Sequence, residues 1–199
     1  MPNPQINKIE YGLSMLAYAV QTAESDDGVP TYAAPVMMPG ARSMALSPQG
    51  DAQSLYADNV AYLVARANGG YDGTVDVVRL LESFLADCLG EKTDTAENSA
   101  VRYETTELNT KTFALLGQFD GDFKNKRFIL YHCSASRPDF KGNTTESGGP
   151  DFGASTQSFA ITATGGRNKL VKATLTDDGS SAYQNWFQSV YLPAGYTGS

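Results

Sequence analysis

Apolar positions along this chain fall into short runs separated by clusters of Gly, Pro, Asp, Asn and Ser. The strongest pair of runs lies between Lys111 and Pro138, flanking the polar tip Asp120–Asn125, and predicts a β-hairpin. In its second run Phe128, Ile129, Leu130 and Tyr131 are all bulky. A strand with one face in water alternates, and this one does not, so both of its faces need cover. A helix is predicted over Leu80–Leu89, where Leu81, Phe84, Leu85, Cys88 and Leu89 share a face and Gly90 stands at the left-handed cap position. At roughly three turns it would not persist alone, so it is expected to dock on one face of the hairpin. The other face is expected to serve a sheet shared with further copies of the chain.

The remaining pattern is mostly strand. Leu16–Val20 reads as a strand after an extended arm over 1–10, and Pro30, Pro35 and Pro39 hold the next stretch open. Arg42–Leu46 alternates weakly. Leu55–Asn59 precedes the apolar run Val60–Ala65, Asn68–Gly73 breaks that run, and Thr74–Val78 alternates. Thr156–Thr164 and Leu170–Leu175, joined through Gly165–Gly166, predict a second hairpin. Tyr183, Trp186, Phe187 and Val190 are spaced for a short helix over Ala182–Tyr191, with capping residues in Thr176–Ser181. Stretches 91–109 and 139–153 read as long loops and 192–199 as a tail. The fold class predicted is α+β, mostly antiparallel β, in one domain over 1–199.

With 199 residues the chain is long enough for one well-filled core. No window approaches the ~18 consecutive apolar residues of a membrane span. The N-terminus lacks the basic-then-apolar pattern of a secretory signal, which predicts assembly and use in a cytoplasm. A net charge of −7 argues against a basic groove for nucleic acid. The charge is uneven: 1–111 holds 15 Asp/Glu and 7 Lys/Arg, whereas 112–199 holds 7 and 8. The plain reading of this imbalance is solubility and chance; the sharper one is a surface that repels, or one that meets a basic partner.

Chemistry is sparse. Neither GxGxxG, GxxxxGK[ST] nor GxSxG occurs. Asp120-Gly121-Asp122 opens like a calcium loop, but its twelfth position is Tyr131 rather than Glu, which leaves a turn. His132 and Cys133 are strand neighbours whose side chains point apart, so they make no nucleophilic pair. Cys88 and Cys133 read as buried free thiols, and one His with two isolated Cys makes no zinc site. Asp76 and Glu82 show no pocket that would tune them, and Trp186 reads as a core anchor. No catalytic, cofactor-binding or metal-binding residue is assigned, and an enzyme is not expected.

Seven segments, in order, resemble the major tail proteins, or tail-tube proteins, of long non-contractile-tailed bacteriophages of Gram-positive hosts. They are Ala45–Asp51, Leu55–Asn59, Asn68–Gly73, Phe113–Leu116, Phe119–Gly121, Tyr131–Pro138 and Ala182–Phe187. Each is weak alone; their shared order spans nearly the whole chain. The resemblance implies a β-sandwich or barrel-like subunit with one flanking helix and a short C-terminal helix. It implies hexameric rings stacked into a tube around a tape-measure protein, capped by tube-end proteins, with DNA passing the lumen without specific binding. It also implies a place in the virion tail after assembly in the host bacterial cytoplasm. No cofactor and no membrane are implied. The immunoglobulin-like C-terminal domain of some relatives is not expected after the Trp186 helix. The alternative reading is a monomeric β-sandwich module that binds carbohydrate or protein.

Overall fold

The computed structural model describes residues 11–57, 59–96, 100–107, 109–121, 124–141 and 156–196, with the backbone alone at 53, 55, 57, 61 and 64–66. The arm over 1–10, residues 142–153 of the second long loop, Asp122 and the last three residues of the tail lie outside them.

The strands are β1 (Leu13–Glu24), β2 (Pro30–Tyr32), β3 (Val36–Met37), β4 (Ala41–Gln49), β5 (Ala52–Ala57), β6 (Val60–Arg66), β7 (Gly70–Val77), β8 (Lys92–Thr93), β9 (Arg102–Tyr103), β10 (Phe113–Phe119), β11 (Lys126–Ala135), β12 (Gln157–Ala163) and β13 (Lys172–Leu175). Helix α1 spans Glu82–Leu89 and α2 Ser181–Gln184. Nine strands form one antiparallel sheet in the order β2-β1-β10-β11-β12-β7-β4, with β3 also on β1 and β13 also on β11. The mostly antiparallel β expectation is borne out. Closure is not: the hydrogen-bonded path ends at β4 on one side and at β2 and β3 on the other. Met38 donates to Leu16 O at 2.7 Å and Val78 to Gly40 O at 2.8 Å, so Met38–Gly40 bring the two ends close without a ladder between them.

The predicted hairpin is the centre of this sheet. Phe113, Leu115, Phe128, Leu130 and Cys133 turn to an inner core, and Ala114, Leu116, Ile129 and Tyr131 to an outer one. Two one-residue bulges adjust the alternation. In β1, Ser14 faces Gln118 but Ala17 faces Leu116, and the extra residue Met15 has φ 49°. In β11, Leu130 faces Leu115 but Cys133 faces Phe113, and His132 has φ 48°. The first bulge lets the strand begin at Leu13, before the predicted Leu16–Val20, while Leu16 and Tyr18 still turn to the inner core.

Helix α1 covers the inner face as expected. Phe84 lies edge-on to Tyr18 at 5.1 Å and to Phe113 at 5.4 Å, and tilted on Phe159 at 5.1 Å. Tyr18 donates to an Asp87 carboxylate oxygen at 3.0 Å, and burial pushes its hydroxyl up to about 12. Gly90, at φ 81°, ends the helix and donates to Leu85 O.

The outer face corrects the sequence reading. The chain's own C-terminal segment covers it, rather than a neighbouring copy. Trp186 is 1% exposed, donates from Nε1 to Phe128 O at 3.3 Å and stacks on Tyr191 at 5.9 Å. The Arg127 guanidinium sits 3.7 Å from the Tyr183 ring centre, donates to Tyr183 O, and reaches Gln118 Oε1 at 2.8 Å. Tyr131 donates its hydroxyl proton to Tyr191 O.

Three further expectations change. The C-terminal helix is only α2, capped by Ser180, which accepts from Tyr183 N at 3.2 Å; beyond it the chain turns so that Trp186 and Tyr191 reach the sheet. Strands β12 and β13 are not a hairpin: β13 pairs with Arg127–Leu130 of β11 and β12 with Cys133–Ala135, one on each side of the His132 bulge. The stretch 91–109 is not all loop. Strands β8 and β9 pair, and Arg102 ties them to α1 by bridging Glu91 at 3.1 Å and Glu82 at 3.2 Å.

Candidate functional site

Asn68–Gly73 breaks the run as expected, between β6 and β7, while the two pairs of strands continue one long hairpin. Strand β4 pairs with β7 down to Gln49 and Gly70, Gly69 donates to Gln49 O at 2.7 Å, and β5 then pairs with β6 from Ala52 and Arg66 to the tip at Ala57 and Val60. At the junction Gly50 has φ 135°, and a Cβ there would stand 1.9 Å from Ala67 O. The β5–β6 half pairs with no other described strand.

This arm carries large apolar side chains in water. Tyr56 is 69% exposed, Tyr62 76%, Val60 60% and Leu63 58%. Tyr62 is the extra residue of a bulge, lying between Leu63 opposite Leu55 and Ala61 opposite Tyr56, and it, Val60 and Leu63 are left in water. An isolated two-stranded ribbon is marginal in water, and exposed apolar strands are sites of association.

The open ends of the sheet are the second feature. None of the described strands pairs with the outer side of β4. Near its start a groove of about 350 Å³ lies between Leu13–Leu16 and Met37–Ala41, with Met15, Val36 and Met37 partly exposed around it. The solvent face of β4, β7 and β12 is a third. Register aligns Ser43, Asp76 and Ser158 in one row, Ala45, Thr74 and Ala160 in the next, and Ser47, Asp72 and Thr162 in a third. Hydrogen bonds from Ser158 and then Ser43 hold the Asp76 carboxyl below the ordinary carboxylate range. This face is hydroxyl-rich and acidic, the opposite of a basic groove.

The residues weighed for chemistry do not converge. Cys133 lies in the inner core and His132 on the other side of the strand. Burial pushes the Cys133 thiol up, and the Cys88 thiol up to about 12; both are free and buried. Asp120 accepts from Gln118 Nε2 at 2.7 Å, within a turn. Asp76 sits on the sheet with its serines, while Glu82 bridges Arg79 at 3.6 Å and Arg102. Among the described residues no three His, Cys, Asp or Glu side chains are grouped to hold a metal ion, and no helix is long and apolar enough to cross a membrane. The apolar pattern of Leu55–Asn59 and Val60–Ala65 does not by itself mark the two runs as a hairpin apart from the sheet. The available signal was Asp58-Asn59 at a turn between two runs carrying Tyr and Leu at consecutive positions.

No family model and no curated protein matches this sequence. Among solved structures, a chain of the six-fold symmetrised cryo-EM structure of the anti-feeding prophage baseplate is similar over 89% of this chain and 99% of that one. The identity is 7% and the TM-score 0.41. A likeness this low carries no argument about fold or function.

Proposed function

We propose that this protein is a structural subunit of a bacteriophage tail, which assembles into stacked hexameric rings forming the tube through which DNA passes. The observation that carries the reading is the β5–β6 arm, a hairpin whose Tyr56, Val60, Tyr62 and Leu63 its own domain leaves uncovered. The order of the resembling segments supports it, as do the unpaired outer side of β4 and the acidic face of β4, β7 and β12. The second apolar face of β11 no longer supports it, because Trp186 and its neighbours fill that face.

Magnitudes shape the expectation. Burying the four exposed arm residues is worth at most roughly 6–12 kcal/mol, at about 1.5–3 kcal/mol for each large side chain. Association costs an estimated 4–15 kcal/mol in lost freedom, so one arm contact barely holds two subunits. Several contacts made together, as in a closed ring, add without repeating that cost. Assembly is therefore cooperative and concentration-dependent. On this reading the partners are further copies, a tape-measure protein and the tube-end proteins; the subunit is not an enzyme, and it resides in the virion after assembly in the host cytoplasm.

The test is negative-stain microscopy with sedimentation of the purified full chain across a concentration series. Six-fold rings or tubes are expected above a threshold. A monodisperse monomer at every concentration would overturn the reading and favour the monomeric binding module.

A further inference from the structure

The one histidine of the chain occupies an unusual place. His132 is the inserted residue of the β11 bulge, with φ 48° and 6% exposure. Its ring lies flat under the connector between β12 and β13. A Cβ on Gly166 would stand 2.3 Å from the ring's Cε1, 2.4 Å from Nδ1 and 2.5 Å from Nε2, so only glycine lets the connector close there. The connector is itself tightly turned, with φ 76° at Gly165, 56° at Gly166 and 61° at Lys169. The ring's Nε2 and Nδ2 of Asn168 are both buried without a hydrogen bond of full geometry, and the Asn168 side chain lies close enough to act on the ring.

Three elements meet at this point. The connector supplies Arg167, Asn168 and Lys169. The end of β1 supplies Glu24, which faces Arg167 Nε at 3.6 Å, and the following turn supplies Asp26, whose carbonyl accepts from Arg167 at 2.9 Å. Strand β2 supplies Tyr32, whose hydroxyl accepts from His132 N at 3.4 Å. Cys133, next along β11, is turned to the opposite face. Gly28 of the β1–β2 turn packs so closely that a Cβ there would meet Arg167 Cβ at 2.7 Å. The connector is thus a strap lying across β11 and fastened to the β1–β2 turn.

We propose that His132 is a proton-operated latch: its neutral ring lets the 165–169 strap close over the β11 bulge, and its protonation lifts the strap and frees the β1–β2 turn. A neutral imidazole tolerates a buried, unpaired Nε2 at modest cost. An imidazolium there is a buried charge, and its desolvation outweighs what Glu24 and the Asn168 side chain return to it. Glu24 offsets part of this, but it already serves Arg167. Burial accordingly pushes the imidazole below its ordinary 6.5, with Glu24 and then the Asn168 side chain pulling the other way. A depressed value in the closed form means that this form binds fewer protons than the open one. Closure is therefore fully stable above pH 6.5 and is progressively lost as pH falls below it. The inference concerns the subunit itself and stands whether or not the chain assembles.

Hydrogen exchange of the full chain, corrected for intrinsic rates, tests it at pH 7.5 and 5.0. Protection over 164–171 is expected to fall at least tenfold at pH 5.0, while β10 stays protected. His132→Asn, which accepts the left-handed backbone but does not titrate, is expected to show no such fall. Unchanged protection in the wild type, or the same fall in the variant, would overturn the latch; the latter would assign the effect to Glu24. Should the variant not fold, NMR of the wild type decides, because a lone histidine gives a single ring signal. The latch requires a midpoint below 6.5 that the Gly165 and Gly166 amides share, and a midpoint at or above 6.5 refutes it.

Discussion

Arg127 shows how much one side chain can fasten. Its planar guanidinium lies over Tyr183, 5.0 Å from the Phe187 ring centre, and donates to both Gln118 and Tyr183 O. A lysine keeps the charge but not the plane or the fork of donors. Arg127→Lys is therefore expected to lower stability by about 1–2 kcal/mol, read as a shift in the urea midpoint at unchanged slope. An unchanged midpoint would mean the ring contacts add nothing beyond charge. The two thiols give a second residue-scale expectation. Burial raises both, so neither forms thiolate near pH 8, and Ellman's reagent should label them only as fast as the chain unfolds. Labelling that is fast under native conditions would contradict the buried positions. Both thiols were legible in the sequence as buried. The strained His132 was not, because nothing in the alternation around Phe128–Cys133 marks which residue is inserted.

Among elements, the C-terminal segment matters more than its four-residue helix suggests. It seals the outer sheet face through Trp186, Phe187, Val190 and Leu192, a role the sequence pattern left to a neighbouring copy. The periodicity identified apolar residues at the right positions but not what they would touch. A segment far along the chain and a second subunit answer equally well to a doubly apolar strand. Trp186→Ala removes the centre of that seal and should cost roughly 3–5 kcal/mol by circular dichroism in denaturant. A loss under about 1 kcal/mol would show that the segment is not part of the core. The small β8–β9 excursion depends instead on Arg102. Arg102→Ala should raise hydrogen exchange around 92–93 and 102–103 with little change in global stability, since these pairs are partly exposed.

For the molecule as a whole, the arm is the feature that its own domain does not use. Tyr62→Asp in the arm leaves both cores intact and is expected to abolish rings and tubes while the thermal midpoint stays within about 2 °C of the wild type. Normal tubes from this variant would remove the arm from the assembly. Ile129→Arg, by contrast, places a charge in the outer core and should prevent folding altogether, so its failure to assemble would say nothing about contacts between copies.

Local pattern was sufficient for what depends on neighbours in sequence. The central hairpin, helix α1 with its glycine cap, the Ser180 cap and the mostly antiparallel class follow from periodicity and turn chemistry, which act within a few residues. Tertiary structure decided what depends on partners distant in the chain. It put Trp186 rather than another subunit on the outer face, split β12 and β13 along one strand, and left the sheet unclosed. It also carried β5 and β6 beyond the domain and set the only histidine beneath a glycine turn. An apolar run states that burial is required; only the three-dimensional arrangement determines what does the burying, and which runs are left without cover.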